Sequence, residues 1–117
     1  MTNLADKIEA LEGPSREVDA EIYCAINGYE FVRWLPNLDR GVGYRKDDGL
    51  YYEKRPLGLA TYTSSLDAAM TLEEGNAADA IAEALERIAK ARVGKNWVER
   101  FPQFLTAAFI RAREANR

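Results

Sequence analysis

Apolar residues recur at helical spacing near both ends of the chain and switch to a strand-like pattern in between. Leu4, Ile8 and Leu11, spaced four and three apart, predict one face of a short helix capped by Thr2 or Asn3. Gly13-Pro14 breaks it, and Ser15 is placed to cap a second helix running to about Asn27. Val18, Ile22, Ala25 and Ile26 form its apolar stripe. Asp19 and Glu21 are expected to face away, and Glu17 lies in the first turn, where the helix dipole favours negative charge. Gly28 supplies the left-handed residue that ends the helix.

From Tyr29 the period changes. Tyr29-Glu30-Phe31-Val32-Arg33-Trp34-Leu35 is rich in aromatic and β-branched residues and predicts a strand that Pro36-Asn37 ends. Val42 to Lys46 and Leu50 to Lys54 predict two more strands, joined through Asp47-Asp48-Gly49 as a hairpin turn, with Pro56 ending the ladder or sitting at its edge.

The remaining chain reads as helical. Thr63, Ser64 or Ser65 caps a short helix over Leu66 to Leu72, with Leu66, Ala69 and Met70 inward, and Glu73-Glu74-Gly75 closes it. Asn76 caps a helix to about Val93, with Asp79 in capping-box position and Ile81, Leu85 and Ile88 as the seam. Glu83 with Arg87, and Glu86 with Lys90, are i,i+4 pairs in the favourable order. Gly94 ends that helix. Lys95 to Arg100 reads as a loop or short strand, and Pro102 suits the first turn of a last helix facing Phe101, Leu105, Ala108, Phe109 and Ala112 inward. No repeat or long linker divides the chain. The expected fold is α+β, a small antiparallel sheet of two to four strands packed between helices, in a single domain over 1–117.

Two segments carry a likeness. Thr61-Tyr62-Thr63-Ser64-Ser65-Leu66-Asp67-Ala68-Ala69-Met70-Thr71-Leu72 and Glu12-Gly13-Pro14-Ser15-Arg16-Glu17-Val18-Asp19-Ala20-Glu21-Ile22 occur in the order typical of phage ABA sandwich domain proteins. The alanine- and arginine-rich Ala107 to Ala115 is similar to the last helix of those small bacteriophage and prophage proteins. The resemblance implies an α-β-α sandwich and a phage or prophage origin, with no reaction or catalytic residues to carry over. Such proteins usually run from a Trp-containing strand directly into the last helix. Here the helix predicted over 76–93 intervenes, and Trp97 stands as a displaced remnant of that strand.

Composition narrows the chemistry. The chain has 117 residues, 47% hydrophobic and 30% charged, with a formal net charge of −3, which argues against indiscriminate binding to nucleic acid or anionic membrane. There is no histidine, which removes imidazole catalysis and ligation, and the single Cys24 excludes an intrachain disulfide or a thiolate zinc cluster. Cys24 sits among apolar residues, where an inert thiol is expected. The longest apolar run, Ile22 to Ile26, is far short of the roughly 18 residues of a membrane span. Met1 to Asp6 lacks a signal-peptide pattern, so a cytoplasmic protein without cofactor or metal is expected. Charge is uneven: −5 over residues 1–30, −4 over 31–86 and +6 over 87–117, so the acidic start and basic end are expected to attract, docking the last helix on the first two.

Asp47-Asp48 and Glu73-Glu74 are the paired carboxylates on offer, and both read as turn or helix-end residues. Asp39, Asp47, Asp48 and Asp67 lack EF-hand spacing, and Gly41-Val42-Gly43 is an incomplete phosphate-loop fragment. Binding is better supplied. Trp34, Arg40, Tyr44, Arg45, Tyr51, Lys54 and Arg55 interleave rings with cations, a mixture suited to protein interfaces or to stacking on bases. If Leu50 and Tyr52 face the core, Tyr51 and Glu53 face outward. The expected function is therefore non-catalytic binding of a host protein, a defence or regulatory factor, through the sheet face and the loop around Asp39 to Gly43. The alternatives are a binder that sequesters a nucleotide or short nucleic acid in an Arg- and Tyr-lined pocket, and a structural homo-oligomer.

Overall fold

The computed structural model describes residues 3–37, 40–45, 51–54, 61–73, 75 and 77–115, with backbone alone at 40, 44, 45 and 51–54. Thr2, Asp39, Lys46, the Asp47-Asp48-Gly49 turn, Leu50, Arg55, Pro56, Glu74, Asn76 and Arg117 lie outside the described residues. The chain is mixed helix and strand, an α+β fold: α1 (Leu4–Glu9), α2 (Arg16–Ile26), β1 (Tyr29–Leu35), β2 (Arg40–Arg45), β3 (Tyr51–Lys54), α3 (Leu66–Met70), α4 (Ala77–Ala91), a 3-10 turn (Gly94–Asn96) and α5 (Trp97–Ala115). These elements group into two compact units, Ser15–Ala60 and the pair Met1–Pro14 with Thr61–Arg117.

In the Ser15–Ala60 unit, the Ser15 Oγ accepts a hydrogen bond from the Val18 N–H at 3.2 Å and starts α2. Gly28, at φ +77°, turns the chain into β1. The strands pair antiparallel in the order β1-β2-β3. Between Phe31 and Arg33 the register shifts by one residue, a bulge at which Val32 is 45% exposed.

Helix α2 packs on β1 and β2, and the Gly41-Val42-Gly43 spacing explains how closely. Residues two apart on a strand share a face, and residues four apart share a helix face. A Cβ on Gly41 would stand 2.7 Å from the Ala20 Cβ, and one on Gly43 would stand 2.9 Å from the Cys24 Sγ. Two missing side chains thus receive two helix positions. This, and not phosphate binding, accounts for the glycine pair.

Asp19 departs from expectation. It is 1% exposed, and its carboxylate accepts from Arg16 Nη1 at 3.1 Å. Burying a carboxylate demands such a partner, and an arginine one turn earlier provides it.

The other unit is helical and is built around α5, against which α1, α3 and α4 all pack. Nine consecutive residues, Pro102 to Ile110, are buried, the signature of a helix covered on all sides. That changes the expected inward stripe: Ala112 is exposed, while Gln103, Phe104, Thr106, Ala107 and Ile110 join Leu105, Ala108 and Phe109 in the core. Two buried polar side chains of α5, Gln103 and Thr106, find acceptors in neighbouring segments. Gln103 Nε2 donates to the carbonyls of Leu11 (2.8 Å), Ile8 (3.2 Å) and Glu9 (3.4 Å), at and just beyond the C-terminal end of α1. Thr106 Oγ1 donates to the Tyr62 carbonyl at 2.9 Å.

Three further expectations need correction. The seam of α4 is Ala80, Ala84 and Ile88, while Leu85 is 44% exposed and Ile81 half-buried. Both sets have helical spacing, and the small alanines are the ones that let α4 lie close to α5. In α3, Leu66 is 47% exposed, and the buried residues are Ala69 and, just beyond the helix, Leu72. Helix α5 starts at Trp97, so Lys95 to Arg100 is neither strand nor loop. Pro102 stands at its sixth position, past the first turn, and the carbonyl it leaves without an amide donor belongs to Val98, a residue 62% exposed.

Charge organises this unit as the uneven distribution foretells for the first helix. Glu9 accepts from Arg87 Nε at 2.7 Å and from Arg111 Nη1 at 2.6 Å, and Arg111 Nη2 donates to Asp6 at 2.8 Å. The Glu9 hydrogen bond pushes the Arg111 guanidinium even further above its ordinary value, so its charge is permanent. Arg87 is therefore committed to Glu9 on α1, whereas Glu86 and Lys90 form the expected surface pair at 2.9 Å.

Candidate functional site

The sheet gathers most of the aromatic and basic candidates. Trp34 belongs to β1, Arg40, Tyr44 and Arg45 to β2, and Tyr51 and Lys54 to β3; Arg55 lies outside the described residues. The register sets Tyr44 opposite Tyr51, and Leu35 opposite Arg40. Gly41 stands between Trp34 on one side and Lys54 on the other, so one row crosses all three strands. At ordinary strand spacing and rise, these six positions fall within about 10 Å by 17 Å of sheet. Strand alternation divides them: positions 34, 45 and 54 share the face of Gly41 and Gly43 that meets α2, and positions 40, 44 and 51 share the opposite face.

Two aromatic residues are less free than the pattern suggests. Trp34 is half-buried, with its Cε3 3.7 Å from the position a Gly41 Cβ would take, which places its ring beside the seam with α2. Tyr62 is 5% exposed and belongs to the helical unit, where its carbonyl accepts from Thr106. Among the described residues no cluster of three or more acidic or cysteine side chains is close enough to hold a metal ion, and no helix is long and apolar enough to cross a membrane.

Cys24 is a free thiol, 5% exposed, whose pKa is pushed up to about 11 by burial and, secondarily, by the charge of Glu21. It is a poor nucleophile at neutral pH. The unfolded chain forms its thiolate first, near pH 9.0, so unfolding releases a proton between pH 9 and 11. This contribution to stability is complete below pH 9 and falls as pH rises, by about 1 kcal/mol at pH 10. Urea titrations of the wild type and Cys24→Ala at pH 8 and pH 10 measure it, and the variant should lack that part of the loss. An aromatic disulfide reagent at pH 8 should label Cys24 many times more slowly in the native protein than in urea.

The pattern of the sequence misses one surface. Leu85, Ile88, Ala89, Val93 and Trp97 line a groove of about 310 Å³ at the junction of α4 and α5, with Arg92 on its wall. Spacing shows Leu85 and Ile88 as a stripe, yet the loop or short strand expected over 95–100 takes their partner Trp97 out of a helix. No protein-family model, no curated protein and no solved structure matches the chain.

Proposed function

We propose that this chain is a small phage- or prophage-derived accessory protein that acts by non-catalytic binding, with a host protein as its partner and the three-stranded sheet as the contact region. The strand register carries this reading. It brings Trp34, Arg40, Tyr44, Arg45, Tyr51 and Lys54, which span 21 positions of sequence, onto three adjacent strands, with the two tyrosines as direct cross-strand partners. Tyrosine, tryptophan and arginine are the side chains that most often dominate the energy of a protein interface, because each adds large contact area together with a directed polar group. The absence of histidine, and a single thiol that burial keeps protonated, favour contact over catalysis. The likeness of 12–22 and 61–72 to small phage proteins supports the origin, and a host defence or regulatory factor is the class of partner such a protein occupies.

The test is capture from bacterial lysate on immobilised wild type, Tyr51→Ala and Arg45→Ala, with mass spectrometry of bound proteins and small molecules. A protein held by the wild type should fall about tenfold in each variant, with circular dichroism and melting unchanged. Equal capture by both variants removes the sheet as the site. A nucleotide or oligonucleotide in the eluate, released by salt, replaces the protein partner with base stacking on the same residues.

A further inference from the structure

Exposed apolar side chains are not spread evenly. Of the five large ones among the described residues, Leu85 (44% exposed) and Trp97 (42%) line the groove where α4 meets α5, and Val98 (62%) follows Trp97 in α5. Two left-handed residues, Arg92 at φ 53° and Gly94 at φ 81°, turn the chain at its edge. A non-glycine residue in that region is strained, and such strain gathers at functional surfaces.

Among the described residues that line the groove, Arg92 alone is charged. Arg92 is exposed on its wall and Lys95 is exposed in the 3-10 turn, and among the described residues neither side chain has an ion pair or hydrogen bond. The nearby acids do not cancel them. Glu86 is bound to Lys90 at 2.9 Å, and Glu99, two residues after Trp97, lies about 200° around the helix from it.

We propose that this groove is a docking site for an acidic amphipathic helix of a protein partner, on residues separate from the sheet region. Apolar residues at i, i+3 or i+4, and i+7 of the incoming helix would enter against Leu85, Val93 and Trp97, and its flanking carboxylates would meet Arg92 and Lys95. The elements forming the groove are helical and offer no strand edge, which favours a helix over an added strand. A concave site suits side-chain anchors better than the flat surface of a bilayer. A second copy would bring α1 or α2 as an acidic helix, but the apolar face of each is already buried within its own chain, Ala5 and Ile8 in α1 and Val18 and Ile22 in α2. Asp6 and Glu9 are held by Arg111 and Arg87.

A displayed library of 16-residue amphipathic helices of varied charge, selected on the full chain with Leu85→Asp as counter-target, tests this. Enriched sequences should be acidic and carry the i, i+3/i+4, i+7 apolar pattern. By titration calorimetry, the best peptide should bind about tenfold more weakly to an Arg92→Glu, Lys95→Glu variant whose circular dichroism is unchanged. Both exchanged residues are exposed, so this variant keeps the test valid even if Leu85→Asp is poorly folded. Enrichment of neutral or basic peptides, no enrichment at all, or an affinity indifferent to the charge reversal overturns the proposal. Tighter association with phosphatidylglycerol vesicles than with any peptide would also overturn it, in favour of a lipid surface.

Discussion

Gly41→Ala lowers the unfolding free energy by an expected 2–3 kcal/mol or so, and Gly43→Ala by about half as much. A glycine-to-alanine change in an ordinary strand position should stabilise instead, by roughly 0.5–1 kcal/mol, because the unfolded chain loses freedom. The sign reverses here because the new methyl has no space. At Gly41 it would sit 2.7 Å from the Ala20 Cβ, an atom fixed to the backbone of α2 that cannot rotate aside. At Gly43 the obstacle, 2.9 Å away, is the Cys24 Sγ, which can change rotamer. Urea unfolding of Gly41→Ala, Gly43→Ala, Ala20→Gly and the Ala20→Gly, Gly41→Ala pair measures the effect. Ala20→Gly alone costs about 1 kcal/mol in helix propensity, and the pair should recover most of the Gly41→Ala loss, a large favourable coupling. A neutral or stabilising Gly41→Ala would mean that α2 does not seat on β2 in this way.

Glu9→Ala is the second large expected loss, about 2–3 kcal/mol. Removing one member of a buried ion pair ordinarily costs about 3–5 kcal/mol, since the remaining charge stays desolvated. Two features reduce that figure. The Arg87 side chain is 42% exposed and can rehydrate, and Arg111 keeps Asp6 at 2.8 Å. The Glu9 side chain itself is 12% exposed and accepts from both arginines, so its loss also frees α1. That helix has six residues, too few to persist unaided, and Gln103 and Arg100 both donate to the carbonyl of Glu9, its last residue. Glu86→Ala is the control, because it removes an ion pair of similar length from a solvated surface and should leave the urea midpoint in place. Arg111→Ala combined with Glu9→Ala should cost less than the two singly. An effect of Glu9→Ala no larger than that of Glu86→Ala would show that the arginines do not clamp α1.

How much of this was readable in the chain depends on the range of the interaction. Asn3, Ser15 and Ser65 cap helices through side chains that reach three residues ahead, and Gly28 and Gly94 take positive φ at helix ends. Strand β1 runs over Tyr29–Leu35 as its aromatic and β-branched pattern predicts. Choosing between two apolar stripes of equal period was harder. In α4, Ile81-Leu85-Ile88 and Ala80-Ala84-Ile88 both satisfy helical spacing, and the larger residues have the greater hydrophobic weight. Helix α5 lies against the smaller ones, because close packing rewards fit over size. Asp19 and Gln103 were illegible for a related reason: each is polar, and only its partner makes burial tolerable.

The candidate sites divide in the same way. The aromatic and basic residues of 34–54 could be seen as a group, but not that Tyr44 faces Tyr51 across two strands or that Trp34 leans on the α2 seam. The groove at Leu85 and Trp97 has no signal in the local pattern, because it exists only where the start of α5 at Trp97 meets α4. Local chemistry, acting within four residues along the chain, set the helix starts, the left-handed turns, the strand pattern and the opposed charges of the two ends. Which alanines face inward, why two glycines stand in β2, and which arginines hold Glu9 were settled by packing between distant segments, whose steric fit and ion pairing exist only once those segments meet.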